Sequence, residues 1–374
     1  MKKIILHLSI FLVGSNLFAQ APANYYNNAT GSGFVLKTQL YNIIKGHSTK
    51  SYDALKGLYR QTDSDNGFQD KYYEKDNTIL DIYSEIATAK DPYNFTPGQK
   101  ECGNYKNEGD CYNREHLIPQ SVFSENSPMV SDPYHIWPTD GKVNGMRSNY
   151  PHGVVGNATY TSLNGSKLGS NLNSGYSAGY SGTVFEPIDE FKGDIARAYF
   201  YFATRYQENG IQSWTYAMFN KTKDKVFTDT FLKILMTWHL NDPVSDREKD
   251  INNLVYRYQG NRNPFIDHPE YAEKIWGSDL GTGDFEYQKR DDVSVYNATN
   301  RSIKVKLENN SKSIQKVSVF NFNGQLINEV SNSSNQKEVE VNFKTPGVYI
   351  IIRKTKSTEF QNEMYNKITN IKAV

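Results

Sequence analysis

The chain has 374 residues, 37% hydrophobic and 22% charged, with 27 Tyr and 19 Phe, which is enough apolar material for two or three folded domains and excludes a disordered protein. Its 42 Lys or Arg stand against 41 Asp or Glu, so a binder that holds polyanions by bulk charge is also excluded. Any polyanion must be held locally.

Residues 1–19 open with Lys2 and Lys3, run apolar from 4 to 13 except at His7 and Ser9, and close on Ala19. This pattern predicts a secretory signal peptide, cut after Ala19 and too short to span a membrane. No later apolar run reaches membrane length. Export through the periplasm permits a disulfide, and the only two cysteines, Cys102 and Cys111, are predicted to pair. Closing so short a loop contributes about 2.5 to 3 kcal/mol and pins the backbone just ahead of Glu115 and His116.

The densest cluster of unusual residues spans 113–153, reading NREHLIPQS and then DPYHIWPTDGKVNGMRSNYPHG. It predicts a strand ending at His116, a loop, a short strand through Ile136 and Trp137, and a helix from about Asp140, capped by Thr139 and stopped by Pro151. Asn144, Arg147 and Ser148 share one face of that helix, and such a unit turns the histidine toward the asparagine. Hydrolysis of a phosphodiester needs an activated water, charge neutralisation at the phosphate and help for the departing oxygen. A histidine serves the first need at neutral pH. A hard cation serves the others, and the carboxylate of Glu115 with the amide oxygen of Asn144 suits Mg²⁺ better than zinc. Zinc proteolysis is disfavoured, since there is no HExxH and both cysteines are committed to each other. Arg147 reads two ways: as a fork on a phosphate oxygen, or as a brace of the helix against Asp132 or Asp140.

Residues 153–182, rich in Gly, Ser and Asn, predict irregular loops with short strands. Ile188, Phe191, Ile195, Ala198, Phe202 and Tyr206 recur at steps of three and four, which predicts an amphipathic helix. Ser245 and Glu248 form a capping box ahead of Ile251, Leu254 and Tyr258. Several polar residues read two ways, with the structural reading favoured: Glu186 on a water of the metal shell or as a cap of the helix near Ile188, Arg262 on a phosphate or in a rigid turn with Asp267, and His47 on a backbone phosphate or at a solvated helix end, while His135 and His239 read as packed side chains. From about Trp276 a glycine-bearing linker is predicted. Beyond it, Val317/Val319, Val339/Val341/Phe343 and Val348/Ile350/Ile352 alternate with polar residues around an Asn323-Gly324 turn signal, which predicts a small β-sandwich over the last 80 or so residues.

NREHLIPQS, PTDGKVNGMRSNYP, FEPIDEFKGDIARAYFYFATRY, WHLNDPVSDRE and QGNRNPFIDHPEY together resemble the bacterial endonuclease I family, secreted or periplasmic nucleases. The resemblance implies an α+β fold, with a ββα-metal (His-Me finger) core, flanking helices and then the β-sandwich tail. It also implies that His116 is the general base and that Glu115 and Asn144 hold the metal, Mg²⁺ with Mn²⁺ or Ca²⁺ as alternatives. DPYH places Tyr134 where the family's DLH segment usually has histidine. GVYIIIRK and NKITNIKAV resemble the C-terminal sorting domain of type IX secretion in Bacteroidetes, which implies handling by that secretion machinery. The resulting plan is a signal peptide over 1–19, a catalytic domain over 20–276, a linker over 277–293 and a sorting domain over 294–374.

Residues 291–374 carry 12 Lys or Arg against 8 Asp or Glu, which leaves a net −5 on residues 20–290. A domain of that sign binds nucleic acid through a local cationic groove and its metal, with few phosphates neutralised. The expected protein is a secreted, monomeric endonuclease for DNA and/or RNA that has no sequence preference and leaves 5′-phosphate ends. The competing reading is a secreted binding or adhesion protein on a decayed nuclease fold. Intact Glu115, His116 and Asn144 favour the enzyme.

Overall fold

Leu36, Leu40 and Ile44 recur one helical turn apart, and the chain there forms α1 (Gly33–Ile44) with all three fully buried. The structure is a computed structural model that describes residues 21–280 and seven strands between 293 and 372. The predicted signal segment, most of the linker and the Asn323-Gly324 turn lie outside those residues. The chain divides into two units, Met1–Asp284 and Phe285–Val374.

In the first unit, α2 (Ala54–Arg60) buries Leu55, Leu58 and Tyr59. After a long irregular stretch, β1 (Tyr112–His116) pairs antiparallel with β2 (Ile136–Asp140), setting Glu115 opposite Trp137 and His116 opposite Ile136. α3 (Gly141–Arg147) follows β2 directly. Its cap is Asp140 rather than the expected Thr139: Asp140 Oδ1 accepts from the Val143 N–H at 2.8 Å, while Thr139 is fully buried in β2. The helix stops at Ser148, which turns left-handed at φ 51°, before Pro151 is reached.

The Gly/Ser/Asn-rich stretch forms a three-stranded antiparallel meander of β3 (Val155–Thr161), β4 (Lys167–Asn171) and β5 (Thr183–Glu186). β4 approaches β3 so closely that a Cβ at Gly169 would lie 2.0 Å from the Asn157 carbonyl oxygen. Next come α4 (Lys192–Arg205), α5 (Asp229–Asn241), α6 (Asp246–Gln259), α7 (Pro264–Asp267) and α8 (Glu270–Trp276).

α4 is the helix that its apolar period predicts, but it has no solvated polar face. It is buried on every side from Gly193 to Arg205, because its charged residues find partners: Arg197 Nη2 meets Glu248 Oε2 at 2.7 Å and Asp194 Oδ2 meets Arg247 Nη1 at 2.6 Å. Glu248 also completes the capping box with Ser245 at the start of α6, and Gly260 ends that helix at φ 90°. Trp276 closes the core, stacked on Phe200 with ring centroids 4.9 Å apart.

Lys37 of α1 is fully buried; its Nζ donates to Gln207 Oε1 at 3.1 Å and to the Lys223 carbonyl at 2.6 Å. Burial pulls its pKa from 10.5 down to about 7. Between those values the unfolded chain holds the proton that the folded chain has released, so this lysine's contribution to stability rises with pH. Relative to Lys37→Met, the wild type should gain on the order of 3 kcal/mol between pH 7 and pH 10. Urea unfolding of both proteins at the two pH values measures it, and a pH-independent difference would refute it.

The second unit holds two antiparallel sheets. β6 (Val293–Thr299), β7 (Ser302–Leu307) and β10 (Glu338–Asn342) form one, in the order β10-β7-β6. β8 (Lys312–Phe320), β9 (Leu326–Ser331), β11 (Val348–Ser357) and β12 (Tyr365–Lys372) form the other, in the order β12-β11-β8-β9. Val317, Val319, Val339 and Val341 are buried, following the alternation in the sequence.

Candidate active site

Successive side chains of a strand point to opposite faces, and β1 uses both. Asn113 and Glu115 face α3, where residues 144 and 147 are one turn apart. Asn144 Nδ2 donates to Asn113 Oδ1 at 2.6 Å, and Arg147 Nη1 donates to Glu115 Oε1 at 2.8 Å. Arg114 and His116 take the other face with Tyr52. The Arg114 guanidinium lies 3.5 Å from the Tyr52 ring centroid, and the His116 ring centre is 5.5 Å from it.

Glu115, His116 and Asn144 all line one cavity of ≈ 560 Å³, together with Arg114, Lys56 and Gln120. Among the described residues Glu115 is 1% exposed and accepts from both Arg147 and the Tyr83 hydroxyl on the same oxygen, Oε1. Among the described residues Oε2 is left without a hydrogen bond. The Asn113 contact likewise uses the amide nitrogen of Asn144 and leaves its oxygen as a free acceptor. Two uncommitted oxygens on a carboxylate and an amide form a donor set suited to a hard divalent cation. Burial raises Glu115 to about 7, against the opposing pull of Arg147 and Tyr83.

His116 Nε2 lies 3.4 Å from the Val130 carbonyl oxygen. A carbonyl can only accept, so this contact places the ring proton on Nε2 and leaves Nδ1 unprotonated. Burial, with His135 beside it, holds the His116 pKa down to about 3, so the ring is neutral at physiological pH.

Arg147, expected either on a phosphate or as a brace against Asp132 or Asp140, braces other partners. Besides Glu115, its Nη1 donates to the His116 carbonyl at 2.6 Å, its Nη2 to the Leu117 carbonyl at 2.5 Å and its Nε to the Tyr150 carbonyl at 3.1 Å. Nη2 also lies 3.4 Å from His152 Nδ1, and four of the five N–H donors are engaged by carbonyl or carboxylate oxygens within the protein. His152 closes a buried ring of contacts, its Nε2 3.3 Å from the Tyr83 hydroxyl and its Nδ1 3.0 Å from the Tyr199 hydroxyl, which itself donates to the Leu117 carbonyl at 2.7 Å.

The Cys102–Cys111 disulfide is formed. Its loop lays Tyr105 across α3, so that a Cβ at Gly145 would come within 2.0 Å of the Tyr105 hydroxyl. The bridge thus fixes the helix face next to Asn144 as well as the approach to β1.

The other polar residues are structural, some in unexpected ways. Glu186 caps no helix; it accepts from the Val155 N–H at 2.8 Å and pairs with Lys192 at 2.7 Å. His47 is buried and accepts from Arg205 Nε at 2.9 Å, rather than lying at a solvated end. His135 bonds the Met129 carbonyl at 2.8 Å, His239 bonds the Pro269 carbonyl at 3.0 Å, and Arg262 forks onto Asp267 with both contacts at 2.7 Å. Tyr134 is fully inside, donating to Asn252 Oδ1 at 2.7 Å.

Residues 32–270 match the family model described as Endonuclease I, well over half of the chain. The chain belongs to the endonuclease I family. Residues 294–366 match a secretion system C-terminal sorting domain, which for this endonuclease I protein implies type IX secretion. It is 33% identical over 276 residues to an extracellular ribonuclease of Bacillus subtilis (strain 168), covering 70% of this chain and 84% of that one. An extracellular ribonuclease of Bacillus amyloliquefaciens is 34% identical over 257 residues, covering 67% and 78%. Endonuclease-1 of Buchnera aphidicola subsp. Baizongia pistaciae is 26% identical over 136 residues, covering 36% and 46%. This endonuclease I protein is therefore a secreted nuclease of α+β fold, and among its described residues no helix is long and apolar enough to cross a membrane.

Proposed function

We propose that the protein is a metal-dependent endonuclease that hydrolyses RNA and DNA without base preference, on a ββα-metal core made by β1, β2 and α3. The observation that carries the reading is that Glu115, Asn144 and His116 line one cavity, with a carboxylate oxygen and an amide oxygen uncommitted among the described residues and a His116 ring whose Nδ1 is unprotonated. Glu115 and Asn144 would hold the cation, Mg²⁺ first by donor chemistry. Such an ion neutralises charge on the phosphate and on the departing oxygen.

The protein's own groups do the rest. His116 Nδ1 takes a proton from water as the water oxygen bonds to phosphorus and the bond from phosphorus to the 3′ oxygen breaks; the 3′ oxygen leaves with a proton from solvent, and the 5′-phosphate stays on the other strand end. Arg147 holds Glu115 and the carbonyls of His116 and Leu117 in register. Arg114, stacked on Tyr52 and bonded through Nη1 to the Tyr52 carbonyl and Asp53, lines the cavity with Nε and Nη2 unbonded among the described residues and suits a backbone phosphate. Inclusion of RNA draws support from the names of the two Bacillus relatives. The tail would direct export as a β-sandwich and take no part in chemistry.

Incubation of the purified chain with plasmid and with single-stranded RNA, each with and without EDTA, tests the reading. Both substrates should be cut, EDTA should stop both reactions, and added Mg²⁺ should restore them. Undiminished cutting in EDTA would refute metal dependence. Intact substrates under all conditions would favour the binding protein.

A further inference from the structure

A second cluster of carboxylates lies away from the cavity. Asp70, Glu74 and Glu85 each bring one ligand oxygen to within 4.8 Å of the others. Glu85 is only 1% exposed, and both of its oxygens are buried without any hydrogen-bond partner among the described residues. Asp70 is also buried and is held rigidly, Oδ1 accepting from the N–H groups of Tyr72 at 3.0 Å and Tyr73 at 2.9 Å, and Oδ2 from Lys75 at 2.7 Å. Glu74 is exposed and accepts from the Asp91 N–H at 3.2 Å. Among the described residues, no lysine or arginine pairs with any of the three.

A buried carboxylate with two unpartnered oxygens, facing two more carboxylates, is costly unless something positive or a proton lies between them. A proton shared with Asp70 or Glu74 would bond Glu85 to one of them, and among the described residues Glu85 makes no such bond. Burial and the repulsion of Asp91, Glu74 and Asp70 push Glu85 up to about 9, the strain that a cation would relieve.

We propose that Asp70, Glu74 and Glu85 bind a structural Ca²⁺ ion. All donors are oxygens, which excludes a zinc-like preference, and a separation of up to 4.8 Å is one that two Ca–O bonds of about 2.4 Å can span, whereas Mg²⁺ needs a tighter shell. The ion would staple the segment between residues 70 and 85. That segment carries Asp81, whose Oδ2 accepts from the Asp140 N–H at 2.8 Å at the start of α3, and Tyr83, which donates to Glu115 at 2.9 Å. Calcium here would act on stability and on the posture of the cavity wall, and it rests on no part of the catalytic reading.

The test is calcium titration of the full chain, stripped with EDTA and dialysed, by calorimetry and by thermal unfolding. At a calcium concentration about a hundred times Kd, the Tm of the wild type should rise by about 5 to 10 °C. Asn144→Ala should keep that rise, which separates this site from the cavity. Glu85→Gln keeps the side chain's shape and removes its charge, so it should unfold at or above the wild-type temperature in EDTA yet lose the calcium-dependent rise. Glu74→Gln, at an exposed position that does not endanger folding, should weaken calcium binding at least tenfold. A wild type without a calcium-dependent Tm, or either variant binding calcium as the wild type does, would overturn the proposal. An equal response to Mg²⁺ would overturn the choice of ion.

Discussion

His116→Ala should lose roughly two to four powers of ten in cleavage rate, the usual contribution of a positioned base, while binding metal as the wild type does. The reason is geometric: the His116 ring is held through Nε2 by the Val130 carbonyl and sits on the opposite face of β1 from Glu115. Deleting it therefore leaves the two free oxygens of Glu115 and Asn144 in place. Asn144→Ala and Glu115→Gln should behave in the opposite way. The first removes an amide oxygen, and the second keeps Oε1 for Tyr83 and Arg147 but removes the charge, so metal affinity should fall in both and excess Mg²⁺ or Mn²⁺ should restore part of the activity. No metal concentration should rescue His116→Ala. Calorimetric metal titration beside plasmid cleavage measures both quantities, and loss of metal binding in His116→Ala would reassign that residue as a ligand.

The parts of this site that were legible in the sequence are the local ones. A strand ending at His116 and a helix bearing Asn144 follow from propensities and turn residues within forty positions. The cap was misplaced by one residue because Thr139 and Asp140 are both competent; what favours Asp140 is tertiary, since its Oδ2 also accepts from the Gly109 N–H at 2.8 Å and its own N–H donates to Asp81. The polar face of α4 was misread because hydrophobic periodicity registers apolar residues and is blind to charges that pair in the interior, as Asp194 and Arg197 do. Asn113 and Arg114 sit inside the NREH motif and could have been weighed there. His152 likewise closes the 113–153 cluster, whereas Tyr52, Tyr83 and Tyr199 had no such signal: they reach the site from three distant segments, and their partners include carbonyl groups, which every residue carries.

Arg147 shows how far such invisible partners decide a role, and its removal should produce the largest loss of stability of any substitution at the site. Its side chain is 1% exposed and Glu115, with which it pairs, is equally buried. Breaking a buried pair from one side strands the other charge, at a cost of about 3 to 5 kcal/mol, a large part of the 5 to 15 kcal/mol or so that keeps a typical domain folded. Arg147→Met, which retains much of the volume, should lose that amount in urea unfolding, because Glu115 keeps only the Tyr83 hydroxyl and the His116 carbonyl loses its donor. Adding Glu115→Gln removes the stranded charge, so the double variant should be more stable than Arg147→Met alone by about 1 to 3 kcal/mol, a coupling that only direct contact produces. Cleavage by Arg147→Met, measured at low temperature where it remains folded, should fall through a lower kcat and weaker metal binding, since Glu115 and the His116 peptide are no longer held in register. A phosphate-binding arginine would give the contrary pattern: unchanged unfolding, an independent double variant, and a raised KM that worsens with salt.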